Sequence, residues 1–336
     1  MSSMKVSAGP DDPLRLLPKV ELHCHVEGTA RPETVAELAA KHGVPLGVER
    51  PEDLYVYAGL PDFLAAFGTV CSAFVDRDDF HRMAYEATED AAEAGIRYRE
   101  MFVSPGFHLD RGIRFDTLWD GIVAGIADGE ADFGVRTRLI IDIDKPKGLG
   151  PALAVLEVAR NLDREVLLGI GGDSNEIGVD HDQFAPLVRE AHNLGFKTCF
   201  HCGEEGPAEN IAAMVAAGVD RIDHGTRLLD LPDLVARVVD EQIPLTSCPS
   251  SNVELEVVPT LEDHPFARQL AAGALVTLNS DDPAFFRFDL ADEYARIAAA
   301  FEFGFDDMIA IRDRAVTAAW LDDAEKDALR QAFAAA

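Results

Sequence analysis

His23 and His25, in the run ELHCHVEG, can aim two imidazoles at one point if that run is extended, because residues i and i+2 of a strand share a face. Three further runs carry the same kinds of side chain: His201 and Glu204 in FHCGEEG, His224 in RIDHGT, and Asp281 and Asp282 in TLNSDDP. Imidazole and carboxylate donors without thiolate suit zinc, ahead of iron or manganese. His23, His25, His201 and Asp281 are the expected ligands of one Zn2+ ion. That is one more than the usual three protein ligands of catalytic zinc, so an added water would make the site five-coordinate. Such an ion brings the pKa of a water towards ~7, which makes hydrolysis the expected chemistry. Glu204 and His224 are then left for proton transfer and orientation.

Each fragment alone has an ordinary structural explanation. An H-x-H arises by chance, Asp281-Asp282-Pro283 reads as a turn or helix cap, and a single His201 or His224 reads as a core histidine. Their coincidence at the ends of four strand-like runs favours chemistry. The other histidines, His42, His81, His108, His181, His192 and His264, fall on helices or loops and are read as structural, with His108 and His264 in loops that could border the site. Cys199 and Cys202 form a C-x-x-C inside a strand-like run, where residues three apart point to opposite faces. No second C-x-x-C completes a structural zinc site, and five cysteines at irregular spacing do not suggest disulfides.

The elements that must position these groups alternate along the chain. Strands are predicted at Lys19–His23, Tyr98–Val103, Arg138–Ile143, Val166–Ile170, Lys197–His201, Arg221–Asp223, Pro244–Ser247 and Leu275–Leu278. Amphipathic stretches lie between them, among them Pro32–His42, Asp78–Ala94, Phe115–Ala127, Gln183–Leu194 and Leu231–Glu241. Eight such units predict an α/β fold, a (β/α)₈ TIM barrel of the metal-dependent hydrolase type, whose active site lies at the C-terminal ends of the strands. A doubly wound open sheet is the alternative, but no G-x-G-x-x-G follows the first strand. Residues 1–12 are expected to be disordered and residues 13–336 to form one domain. Residues 45–80 are expected to be a helical insertion near the barrel mouth. The segment Leu255–His264 is placed at the mouth as well, and the C-terminus closes with a helix.

The 336 residues carry 60 acidic and 30 basic side chains, a net charge of −30. That field repels a phosphate backbone, so nucleic acid is not an expected partner. The chain is 48% hydrophobic and 27% charged, a globular composition. No apolar run reaches the ~20 residues of a membrane helix, and the N-terminal run lacks a signal-peptide core, so a cytoplasmic protein with no membrane partner is expected.

The runs KVELHCHVEGT, FHCGEEGPAENI, RIDHGTR, IPLTSCPSSNVEL and TLNSDDPAFF, in this order from Leu17 to about Tyr294, resemble the adenosine/adenine deaminase family of the amidohydrolase superfamily. The cytidine-deaminase pattern of H-x-E and P-C-x-x-C is absent. The resemblance implies that His23, His25, His201 and Asp281 bind zinc. It implies that Glu204 protonates N1 of a purine, and that His224 orients or deprotonates the attacking water. Asp282 would hydrogen-bond N7 and that water. A 6-aminopurine would thus become a 6-oxopurine plus ammonia.

Two positions bear on the substrate. Nucleoside-specific members resembling this chain carry H-x-H-x-D-G, whereas Glu27 stands at that Asp here, as in the adenine-specific branch. Its longer carboxylate would intrude where a ribose sits. In GIGGDSNEIG, Ser174 takes the place of a glycine that contacts the purine, as in adenine-type members. The resemblance therefore implies adenine as substrate. Adenosine or aminodeoxyfutalosine is the alternative, the latter because EDHPFARQLAAGALVTLNSDDP is similar to that branch. A non-catalytic purine-binding barrel is the remote alternative, and it should have lost a ligand or Glu204.

Overall fold

The computed structural model describes residues 3–335. Eight parallel strands follow one another in sequence order around one sheet. They are β1 (Lys19–Glu21), β2 (Ile96–Val103), β3 (Arg136–Asp144), β4 (Leu167–Asp173), β5 (Lys197–Cys202), β6 (Arg221–His224), β7 (Leu245–Ser247) and β8 (Val276–Leu278). A parallel pair needs a crossover, and each crossover here carries helix, which covers the outer face of the sheet while side chains fill the barrel interior.

The seam between β8 and β1 is closed just beyond the strands. Cys24 bridges Asp281, the His25 N–H donates to the Asp281 carbonyl at 3.0 Å, and the Asp281 N–H donates to the His23 carbonyl at 3.2 Å. The Leu22 N–H is met by Asn279 Oδ1 at 2.8 Å. The barrel is a (β/α)₈ barrel, and its closing hydrogen bonds belong to the residues singled out as ligands.

Several boundaries differ from expectation. The strand-four run continues through the glycines to Asp173, because Gly171 and Gly172 pair with β3 and β5 and make room for neighbours. A Cβ on Gly171 would lie 2.0 Å from Asp142 Oδ1. Helices Leu290–Phe301 and Phe305–Ala318, not expected from sequence, follow β8. The second packs on β8 and β1 and covers the seam. The terminal helix spans Asp323–Ala335.

The expectation of disorder through residue 12 is corrected for residues 3–12. Ser3–Lys5 forms a 3-10 turn, and Ser7 Oγ and the Ala8 N–H both donate to Asp292 Oδ1, at 2.8 and 2.9 Å. Arg15 ties the segment down further by donating to the Ala8 carbonyl. Backbone groups anchored in this way lose the freedom that disorder requires. Residues 1 and 2 lie outside the described residues. The stretch 45–80 contains a helix, Gly59–Cys71, whose Leu60, Phe63 and Leu64 line the same cavity as His201 and Glu204.

Candidate active site

His201 and His224 are the penultimate and last residues of β5 and β6. His23, His25 and Asp281 follow β1 and β8 within four residues. All five are buried. His23, His201, His224 and Asp281 offer ligand atoms within 4.8 Å of one another, and His25 joins Asp281 and Asp282 in an overlapping group. Asp281 Oδ1 lies 3.2 Å from His23 Nε2 and 3.4 Å from His25 Nε2. Three site residues hold left-handed backbone: Ser174 at φ 73°, His224 at 60° and Asp281 at 67°. Such conformations cost on the order of 1–3 kcal/mol each and persist where the surroundings dictate them.

The ring protons follow from the partners. His201 Nδ1 donates to the Gly172 carbonyl at 3.0 Å, which leaves Nε2 as a bare lone pair. Thr246 donates its hydroxyl proton to Asp223 Oδ1 at 2.8 Å, so His23 Nδ1, at 3.0 Å, donates to Thr246 Oγ1. His23 Nε2 then has a lone pair and no hydrogen-bond partner. His25 Nε2 faces His201 Nε2 at 3.2 Å. The lone pairs of His23 and His201 converge on the Asp281 carboxylate oxygen, and such groups repel one another and are costly to bury without a cation. The donor set therefore fits a divalent metal with imidazole and carboxylate ligands, and Thr246, the Gly172 carbonyl and Ser251 hold those ligands from behind.

Around this cradle lie the groups that could move protons. Glu204 is buried, and burial, with Asp281 and Glu176 nearby, pushes its carboxyl well above the usual range. Burial lowers His224 well below the ordinary imidazole value, so its ring is neutral. Asp282 is likewise pushed up by burial, and its Oδ1 has no partner. Gly28 makes room for it, since a Cβ there would lie 1.8 Å from Asp282 Oδ1. Ser174 lines the cavity beside Asp173. Glu27 is buried and does not line that cavity. Its Oε1 accepts from the Ser104 N–H at 3.1 Å and meets His108 Nε2 at 3.2 Å, while Oε2 has no partner.

Other residues emerge only here. The Glu176 carboxylate accepts the N–H groups of Gly203, Glu204 and Gly206 and the Asn210 amide, at 2.7 to 2.9 Å. It thereby fixes the loop that carries Glu204. Lys145 Nζ donates to the His201 carbonyl. Asn252 Nδ2 donates to Glu204 Oε1 at 2.9 Å. Glu176 and Asn252 sit in the polar runs DSNEIG and SCPSSN and Lys145 in DKPKG, and buried polar residues just past a strand end were the available signal. The cysteines expected to be inert are all buried and unpaired.

The chain is 38% identical to an adenine deaminase of Caulobacter vibrioides over 96% of each chain. It is 37% identical to one of Streptomyces coelicolor over 94% of each. The crystal structure of an adenine deaminase from Arthrobacter aurescens superposes with a TM-score of 0.89 at 35% identity, covering 94% of this chain and 98% of that one. A zinc-bound amidohydrolase from Burkholderia ambifaria superposes with a TM-score of 0.90 at 30% identity, covering 99% and 96%. Residues 18–336 match the adenosine deaminase family, and the chain belongs to that family.

Proposed function

We propose that the protein is a zinc-dependent adenine deaminase that converts adenine and water to hypoxanthine and ammonia. The observation that carries this reading is Glu204, a buried carboxyl pushed well above the usual range, beside the convergent imidazoles and carboxylate of His23, His25, His201 and Asp281. The adenine deaminases that match this chain over nearly its whole length support the choice of substrate.

His23, His25, His201 and Asp281 would hold one zinc ion, as the zinc-bound relative encourages. When bound, zinc supplies a nucleophile at neutral pH by acidifying water. Glu204 donates its proton to N1 of the ring, which drains electrons from C6 at the moment of attack. Asp282 hydrogen-bonds N7 and the attacking water through its unpartnered Oδ1. His224 orients that water. Of the water's two protons, one leaves on ammonia and the other restores Glu204. We assign Glu27, buried behind the cavity lining with one oxygen unpartnered, the role of excluding a sugar at N9.

The test is ammonia release from adenine, adenosine and aminodeoxyfutalosine at equal concentration. Adenine should have the largest kcat/KM. A faster reaction with either nucleoside would overturn the substrate assignment and leave the deaminase chemistry standing.

A further inference from the structure

Asn252 follows β7 on a short helix, Pro249–Glu254, and is fully buried. Its amide joins residues from three strand-end loops. Nδ2 lies 2.9 Å from Glu204 Oε1 and 3.3 Å from His224 Nδ1. Oδ1 lies 3.2 Å from Thr226 Oγ1 and 3.2 Å from His264 Nε2.

The orientation of this amide is dictated by a donor that cannot rotate. The backbone N–H of Phe266 donates to His264 Nδ1 at 3.1 Å, so that nitrogen carries no proton. His264 is buried and neutral, its pKa pushed down to about 3 by burial and by Arg268. Its one ring proton is therefore on Nε2, facing Asn252 Oδ1. A flipped amide would set N–H against N–H there. Both Nδ2 hydrogens of Asn252 accordingly point to Glu204 Oε1 and His224 Nδ1.

We propose that Asn252 is the positioning residue of the reaction: it occupies Glu204 Oε1 as a donor and so places the carboxyl proton on Oε2, the oxygen free to meet the purine. By the same contact, His224 carries its proton on Nε2 and acts toward the site as a hydrogen-bond donor that orients water. His264 and Thr226 are the struts that keep the amide turned this way. The inference rests on the proposed role of Glu204 as proton donor, but not on which 6-aminopurine is the substrate.

The experiment uses Asn252→Asp, which keeps the acceptors for Thr226 and His264 and removes both donors. A carboxylate there draws the Glu204 proton to Oε1. With the zinc-loaded enzyme and the 6-aminopurine that the wild type uses best, kcat should fall roughly 10²-fold or more, the scale of a misplaced acid catalyst. KM, zinc content and melting temperature should stay near wild type. In a Glu204→Gln background the same substitution should cost less than about 3-fold, because residues acting through one group are not additive. Unchanged kcat, losses that multiply in the double variant, or loss of zinc would each overturn the proposal. Asn252→Ser serves if the aspartate variant does not fold, with the same expectations. Neutron diffraction of the holoenzyme reads the proton independently of turnover: a deuteron on Oε2 of Glu204 is expected, and one on Oε1 refutes it. A wild type inactive on adenine would refute the substrate assignment without touching Asn252.

Discussion

Glu204 and Asp281 are both buried carboxyls, yet their surroundings drive them apart. Burial raises Glu204, whereas the imidazoles of His23 and His25 beside Asp281 hold it well below the usual range against the same burial. One can keep a proton at neutral pH, and the other is an anion suited to a cation. Glu204→Gln should therefore cut kcat by about 10²–10⁴-fold, because only the acid is lost. Zinc measured by elemental analysis should stay at the wild-type level, and equal activity would remove Glu204 from the mechanism. Asp281→Ala should instead lower bound zinc, and full stoichiometric zinc in that variant would count against Asp281 as a ligand. His23, His25, His201, Glu204, His224, Asp281 and Asp282 were legible from sequence because imidazoles and carboxylates at strand ends advertise their chemistry. Asn252 was not, since an uncharged amide has no role until its partners from the loops after β5 and β6 are beside it. Nor was the setting of Glu27, whose contacts with Ser104 and His108 come from more than seventy residues away.

At the scale of the element, the loop after β5 is held by the loop after β4. Glu176 gathers three N–H groups and one amide, which no backbone partner satisfies. Burial raises its pKa, but Lys145 and these donors outweigh burial and leave it lowered. The sign follows: a depressed carboxylate contributes stability above its unfolded value near 4.5 and loses it as pH falls through the lower folded value. Glu176→Gln replaces one acceptor oxygen by a donor facing buried N–H groups. It should destabilise the fold by roughly 1–3 kcal/mol in denaturant unfolding at neutral pH. It should also lower turnover, since the Glu204 N–H is one of the groups released. Wild-type stability would show that the loop does not depend on this carboxylate. Strand existence was readable here and strand ends less so, because the run GIGGD looks like a turn until its neighbours pair with it.

The whole molecule carries a net charge of −30, and like charges on a compact surface repel. Raising NaCl to about 1 M contracts the Debye length to ~3 Å and screens that repulsion. The melting temperature of the zinc-loaded protein should rise by a few degrees between low and high salt. A fall would mean that its surface ion pairs, such as Arg31 with Glu89 and Asp90, outweigh the surplus. Among the described residues no helix is long and apolar enough to cross a membrane. Net charge is a property of the whole chain and not of one site, which is why composition said what the protein avoids and nothing of what it converts.

By itself the sequence determined the alternation of eight strands with helices, the set of candidate metal-binding side chains and the family, because periodicity and residue type are local properties. Only the tertiary structure decided which ring nitrogens are bare, which oxygen of Glu204 is free, that residues 3–12 are anchored, and that the barrel closes through the candidate ligands themselves. Those are matters of which distant groups meet, and a hydrogen bond has a direction only once both of its partners are in place.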